Sequence, residues 1–231
     1  KGYRNQGDGL QIWGAAKENK VAIEEVRQAY AESLDIVLDI VESALDDIDG
    51  KTIITADHGH NLGYDMENSY FHHTASLSEG VLHVPLEIIN PPPEWPAEIT
   101  SKFSQIHLPQ LIDLIKNSEW DEEVLEREPV VAERIGLLGE NSEINYTDSN
   151  EIDGEYWNRM IRCGYNNHSK FEWDSLDNSK KYELDPEQAC WQLLCSKEPV
   201  IPDRILSVFD EGIKEYKSEW QDQKQDLSFD S

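Results

Sequence analysis

A short apolar segment that turns at once into metal-ligating side chains lies near the middle of the first hundred residues. Thr52–Ala56 is rich in β-branched residues and follows the turn sequence Asp-Gly-Lys, so it predicts a buried strand. Asp57, His58 and His60 follow it directly, and Gly59 allows a sharp turn between them. Because ligand sites in open α/β sheets form beyond the carboxyl ends of strands, this order indicates a binding site. The alternative interpretation is a polar turn without function.

The segments around this strand predict an α/β order. Apolar residues recur at three- and four-residue steps over Val21–Ile48, which predicts one long helix ending near Gly50. Downstream, a strand is predicted at Val81–Asn90, a helix at Ser104–Ile115 and a short strand at Pro129–Glu133. A helix followed by a strand favours a parallel sheet with helical crossovers.

The chain is predicted to change character after Arg134. Three short strands and a closing helix are expected there, at Tyr156–Tyr165, Lys170–Trp173, Lys181–Leu184 and Pro202–Trp220. The predicted domains are an α/β part over 1–135, an exposed acidic loop over 136–155, and a small antiparallel subdomain with a terminal helix over 156–231.

The net charge restricts the partners. Twenty Lys and Arg against 47 Asp and Glu give −27, spread along the chain, which disfavours nucleic acid and anionic membranes. No apolar run approaches the ~18 residues of a membrane span. We expect a cytoplasmic protein whose acidic surface suits high salt, as in a halophile. One feature opposes this interpretation, because Lys outnumbers Arg and halophilic proteins tend to avoid Lys. An acidic surface that recognises a basic partner is the alternative. Because the chain begins with Lys1, we expect a fragment.

The three cysteines are too few and too clustered for a disulfide framework. Cys190 and Cys195 lie in a short apolar stretch, and their spacing lacks the Cys-x-x-Cys pairs of zinc sites. All three cysteines, including Cys163, are predicted to be thiols buried in the core.

The order of these motifs resembles the C-terminal half of the sulfatase family, within the alkaline phosphatase superfamily. The resembling features are a helix with Tyr30, the strand ending in Ala-Asp-His-Gly59, a Leu62-Gly63 loop and the segment Leu77-Ser-Glu-Gly-Val-Leu-His-Val-Pro-Leu86. The resemblance implies part of an alkaline-phosphatase-like, helix-flanked, mostly parallel sheet, followed by the small antiparallel subdomain.

The resemblance also implies a site. Asp57 and His58 would hold one divalent metal, calcium or magnesium first, with manganese or zinc as alternatives because an imidazole shifts the preference. His72 or His73 stands where similar enzymes place a Lys or His that contacts the ester or protonates its leaving oxygen. The expected Lys is absent, since Thr74 occupies the nearest ungapped position.

Five other polar residues are interpreted from the sequence. His60 and Asp65 are weaker site candidates, whereas His83, His107 and Glu79 are predicted to be structural.

The nucleophile of the family is absent from this sequence. No Cys/Ser-x-Pro-x-Arg motif occurs, and the N-terminal Asp-Asp metal ligands have no counterpart. We therefore expect the C-terminal part of a sulfatase-like, metal-dependent hydrolase of sulfate esters, inactive alone, which requires a missing N-terminal region to complete its site. The expected partner is a sulfate or phosphate ester substrate. The alternatives are phosphodiester or phosphonate hydrolysis, phosphoryl transfer, or a non-catalytic, salt-adapted binding module.

Overall fold

The computed structural model describes residues 22–64, 71–73, 76–125, 129–135, 159–185, 187–188 and 191–218, and for residues 71–72 the backbone alone. These residues form a mixture of helices and antiparallel strands. The chain divides into two compact units, the first comprising Lys1–His73 with Gly80–Pro91 and the second Thr74–Glu79 with Pro92–Ser231. None of the described helices is long and apolar enough to cross a membrane.

The first unit contains one long helix and two small ladders. Helix α1 spans Ile23–Leu45, close to its predicted bounds. Strand β1 (Thr52–Thr55) pairs antiparallel with β4 (Leu86–Ile89), and β2 (Asn61–Leu62) pairs antiparallel with β3 (Phe71–His72). Helix α2 is a single turn over Glu79–Leu82, and the chain passes from the second unit to the first between Glu79 and Gly80.

The apolar face of α1 is largely exposed. The helix has no buried residue, and its exposed large apolar side chains include Leu34, Val37, Leu38 and Ile40, at 46, 52, 53 and 64% exposure. The predicted helix is confirmed, but the described residues do not bury its apolar face.

The second unit is built on a five-stranded antiparallel sheet in sequential order. Its strands are β5 (Val131–Arg134), β6 (Ile161–Asn166), β7 (Ser169–Asp174), β8 (Ser179–Leu184) and β9 (Gln192–Lys197). Its helices are α3 (Leu108–Asn117), preceded by a 3-10 turn at Gln105–His107, then α4 (Glu122–Leu125) and α5 (Asp203–Leu206). Residues 213–218 are also helical.

Apolar packing against β6 and β7 forms the core of this sheet. Phe171 and Trp173 are buried with Ile205 of α5, which has no exposed surface. Gly164 of β6 faces Ile205 so closely that a Cβ at position 164 would overlap the Ile205 side chain. The absence of a side chain at Gly164 therefore lets α5 approach the sheet.

Several strand predictions need correction. The Val81–Asn90 strand is shorter, because its first residues belong to α2 and only Leu86–Ile89 pairs. Val131–Arg134 pairs with Ile161–Asn166 in the antiparallel sheet, although it was assigned to the α/β part. Strand β9 was not predicted.

Other expectations stay open in the described part of the chain. The described strand pairs are all antiparallel, so a parallel sheet is not among them. The acidic loop predicted at 136–155 lies outside the described residues.

The cysteine prediction is confirmed for one residue and wrong for another. Cys163 of β6 is buried, whereas Cys195 is exposed. Cys195 lies on β9, an edge strand of the sheet, where one flank has no described strand and Leu193 and Leu194 are also exposed. Cys190 lies outside the described residues.

Candidate metal site

The predicted site begins where β1 ends. Asp57 is 88% exposed, and its Oδ1 accepts a hydrogen bond of 2.9 Å from the backbone N–H of His58. The His58 side chain is 38% exposed, and its Nε2 lies 3.7 Å from Oδ2 of Asp57. The two residues predicted to hold a metal therefore present a nitrogen and an oxygen near the same point.

Gly59 anchors this turn to helix α2. Its N–H donates a 2.8 Å hydrogen bond to the carbonyl of Val81. A Cβ at position 59 would overlap the carbonyl oxygen of Gly80. The backbone of the Asp-His-Gly turn can approach this segment only because residue 59 has no side chain.

The short ladder between β2 and β3 places two further histidines together. Asn61 pairs with His72, so His60, just before β2, and His73, just after β3, stand at the next rung of an antiparallel ladder. Residues facing each other across such a ladder have Cβ atoms about 4.5–5.5 Å apart. The register of two residue pairs is thus sufficient to bring His60 and His73 into contact.

Three imidazoles meet at this point. The ring of His73 lies 4.1 Å from that of His58 and 5.1 Å from that of His60, measured between centroids, and the rings of His58 and His60 are 5.8 Å apart. One nitrogen from each ring lies within 4.8 Å of the other two. All three side chains are partly buried. We call His58, His60 and His73 the histidine cluster.

Helix α1 supports the cluster from one side. The ring of Tyr30 lies 5.9 Å from that of His60. One turn earlier, Arg27 donates hydrogen bonds to the carbonyls of Leu62 and Gly63, at 2.9 and 3.0 Å, and its guanidinium lies 3.9 Å from the Tyr64 ring centre. These contacts fix the chain that leaves His60.

A cavity adjoins this support. Its volume is about 410 Å³, and its lining includes Arg27, Tyr30, Leu34, Leu62 and Tyr64. Since Tyr30 contacts both the cavity and the His60 ring, the cavity lies beside the histidine cluster. It is an open groove, since Tyr30, Leu34 and Tyr64 in its lining are exposed at 39, 46 and 42%.

The structure brings together part of the predicted set. His58 and His73 meet, and Asp57 lies at the edge of the cluster. Only the backbone of His72 is described, and Asp65 lies outside the described residues. His60, a weaker candidate from the sequence, belongs to the cluster; the β2–β3 register that places it there has no strong sequence signal, since each strand has two residues.

Two residues predicted to be structural differ in their setting. His83 is exposed and lies between α2 and β4, so the prediction that it sits inside a strand is wrong. Glu79 is buried and hydrogen-bonded to Lys170, which confirms its structural role.

Comparison with known proteins adds no family to this picture: no family model, no curated protein and no solved structure matches the chain. Functional inference therefore depends on the residues and their geometry.

Gly59→Ala should disturb the histidine cluster. Because the new methyl group would overlap the Gly80 carbonyl, we expect a loss of about 1–3 kcal/mol in local stability. Hydrogen exchange at the residue 59 amide, which bonds to Val81, would report it as faster exchange. Gly50→Ala is the matched control, because a Cβ there meets only the Ile48 side chain at 3.8 Å. Equal exchange rates in the two variants would contradict the steric argument.

Proposed function

We propose that this chain is part of a metal-dependent hydrolase of the sulfatase kind, acting on sulfate esters. The observation that carries the proposal is the meeting of His58 and His73, 4.1 Å apart between ring centroids. The sequence resemblance gives these residues separate roles, one as metal ligand and one as ester contact. A polar turn without function would not require His58 and His73 to be in contact.

The residues have distinct tasks in this proposal. When bound, a divalent cation would neutralise the non-bridging oxygens of the ester and oppose the repulsion from a chain of net charge −27. His58, with the Asp57 carboxylate beside it, holds the cation side of the site. His73 stands next to it, where an imidazole can orient the ester or protonate its leaving oxygen.

The cavity beside Tyr30 is suited to the organic part of the ester. Two tyrosine rings and Leu34 supply apolar surface, whereas Glu24 and Gln28 supply polar groups at the same lining. This mixture is typical of small-molecule sites, where apolar walls provide contact and a few polar groups orient the ligand.

A further polypeptide region completes the enzyme in this proposal. The sequence contains no Cys/Ser-x-Pro-x-Arg nucleophile motif, and α1 exposes Leu34, Val37, Leu38 and Ile40. A region that packs on this face would supply the nucleophile and the remaining ligands. The proposal also includes the fold, in which α1 and β1 are one part of a helix-flanked, mostly parallel sheet.

The test is hydrolysis by the longest natural form of the protein in high salt. Aryl sulfate, aryl phosphate and phosphodiester substrates would be compared with and without chelator, for wild type, His58→Ala and the control His83→Ala. We expect chelator-sensitive cleavage of the sulfate, reduced at least about 100-fold in His58→Ala and retained in the control. Preferential cleavage of a phosphate ester would transfer the proposal to phosphoryl chemistry, and cleavage of none would favour a binding module.

A further inference from the structure

We infer that the histidine cluster is a three-imidazole centre for a first-row transition ion, zinc above all, in which His60 and His73 are direct ligands. This inference rests on the proposed function and deepens it, since it concerns the same cation site, where it gives His73 the role of a ligand in place of the ester contact. It differs from the ligand pair predicted from the sequence, which contains Asp57 and His58 and suits calcium or magnesium.

The spacing of the ring nitrogens fits such a centre after a small contraction. The three nitrogens lie within 4.8 Å of one another, and a point equidistant from atoms at that limit is about 2.8 Å from each. Zinc–nitrogen bonds are about 2.0–2.1 Å, so each ring would move inward by ~0.7 Å. Side-chain rotation alone can supply a movement of this size.

A backbone carbonyl beside the His58 ring can fix its tautomer. Its Nδ1 lies 3.0 Å from the carbonyl oxygen of Gly59, so an N–H at Nδ1 would donate to that oxygen. The lone pair is then at Nε2, the atom that faces Asp57. A backbone carbonyl that accepts the other ring N–H is the usual partner of a metal-bound histidine, because it fixes both tautomer and ring orientation.

The backbone around the cluster is held by independent contacts. Gly59 is tied to Val81 by a 2.8 Å hydrogen bond, and the Asn61–His72 pairing sets the positions of His60 and His73. The Tyr30 ring contacts His60 from α1. Ligands supported in this way need little reorganisation when an ion binds.

The chemistry of the donors decides the class of ion. Calcium and magnesium prefer oxygen ligands, usually several carboxylates and carbonyls, whereas imidazole suits zinc, copper, iron and nickel. The cluster offers three nitrogens, and the adjoining Asp57 carboxylate is 88% exposed and accepts a hydrogen bond from the His58 amide. Asp57 can tune the site from its edge without being required for binding.

Isothermal titration with zinc and calcium, together with cobalt absorption spectra, would test the inference on protein without a histidine tag. We expect one zinc or cobalt ion per chain, a visible cobalt spectrum typical of nitrogen ligands, and weak calcium binding. His58→Ala, His60→Phe and His73→Ala should each lower zinc affinity more than about 100-fold, since even indirect partners of metal ligands contribute 10–100-fold.

Controls separate loss of a ligand from loss of folding. His60→Phe keeps an aromatic contact with Tyr30 but offers no nitrogen. His83→Ala should change zinc affinity less than about tenfold, whereas Asp57→Asn, which alters an indirect partner of His58, should lower it by about 10–100-fold. His72→Ala distinguishes the two neighbouring histidines. Circular dichroism of each variant would confirm that helix content is retained.

Three results would overturn the inference. These are absence of zinc and cobalt binding, a dominant calcium site abolished by Asp57→Asn, or zinc binding that depends on His72 and not on His73. Chelator-sensitive ester hydrolysis combined with any of them would leave the proposed function standing. Zinc binding on the three histidines without any ester hydrolysis would do the reverse, and remove only the proposed function.

Discussion

Glu79→Ala should destabilise the second unit by about 3–5 kcal/mol, because it leaves the ammonium group of Lys170 buried without its counter-ion. The Lys170 side chain has 0% exposure and that of Glu79 has 6%. Lys170 Nζ lies 3.0 Å from Glu79 Oε1, and it also donates to the Leu77 carbonyl and, at 3.3 Å, to Gln192 Oε1. Tyr165 donates a 2.7 Å hydrogen bond to the same Glu79 oxygen. The carboxylate therefore satisfies two buried donors at once.

A double variant separates the cost of an unpaired charge from the value of the pair. Glu79→Leu combined with Lys170→Met removes both charges and keeps similar volume, and such replacements are often neutral or stabilising. Urea unfolding would be followed by the reactivity of Cys163, with Cys190 and Cys195 replaced by serine. The prediction fails if Glu79→Ala alone changes the unfolding free energy by less than about 1 kcal/mol, because such a small effect requires Lys170 to reach water or another anion.

Alkaline pH should destabilise the same sheet between about pH 9 and pH 12. Burial raises the pKa of the Cys163 thiol from its ordinary 9.0 to about 12, against a smaller opposite effect of Lys170. In this interval the folded state keeps a proton that the unfolded state has released, so stability falls as pH rises. A shift of this size corresponds to the order of 4 kcal/mol lost across the interval.

Two neighbours act in the same direction. Burial raises the pKa of Tyr165 well above its ordinary range, and Cys163 and Glu79 add to the effect. Burial alone would lower the pKa of Lys170, but Glu79 first, together with Cys163 and Glu172, raises it on balance. Both groups hold their protons longer in the folded state, so their contributions are present at neutral pH and are lost as pH rises.

Unfolding free energies measured at a series of alkaline pH values would check this expectation. Cys163→Ala should flatten the decline above pH 9, because the alanine has no proton to release. Cys195→Ala is the matched control, since that thiol is exposed. A decline of equal slope in the wild type and in Cys163→Ala would show that Cys163 titrates alike in the folded and unfolded states.

Sequence patterns predicted the elements that carry a strong local signal. The repeating apolar positions of Val21–Ile48 are sufficient for α1, because a helix requires only contacts between near neighbours in the chain. The Lys170–Trp173 and Lys181–Leu184 segments were identified as strands and lie within β7 and β8. Strand β9 was not identified, since its apolar residues lie on an edge strand and remain exposed.

Candidate site residues were predictable to the extent that they adjoin a recognisable strand. Asp57 and His58 follow β1 directly, so their type and position indicated a ligand site. The resemblance indicates His72 and His73 equally and does not distinguish between them. The ladder register, which pairs Asn61 with His72, places His73 opposite His60.

The sequence by itself determined which chemical groups are present and where the elements with the strongest local pattern lie: a net charge of −27, a long amphipathic helix, and an Asp-His-Gly turn after a β-branched strand. Only the tertiary structure decided which groups meet. His60 and His73 converge through a two-residue ladder, and Lys170 is buried against Glu79 from ninety-one positions away. The physical reason is that such pairings depend on how distant segments pack, whereas periodicity and turn signals report only on neighbours along the chain.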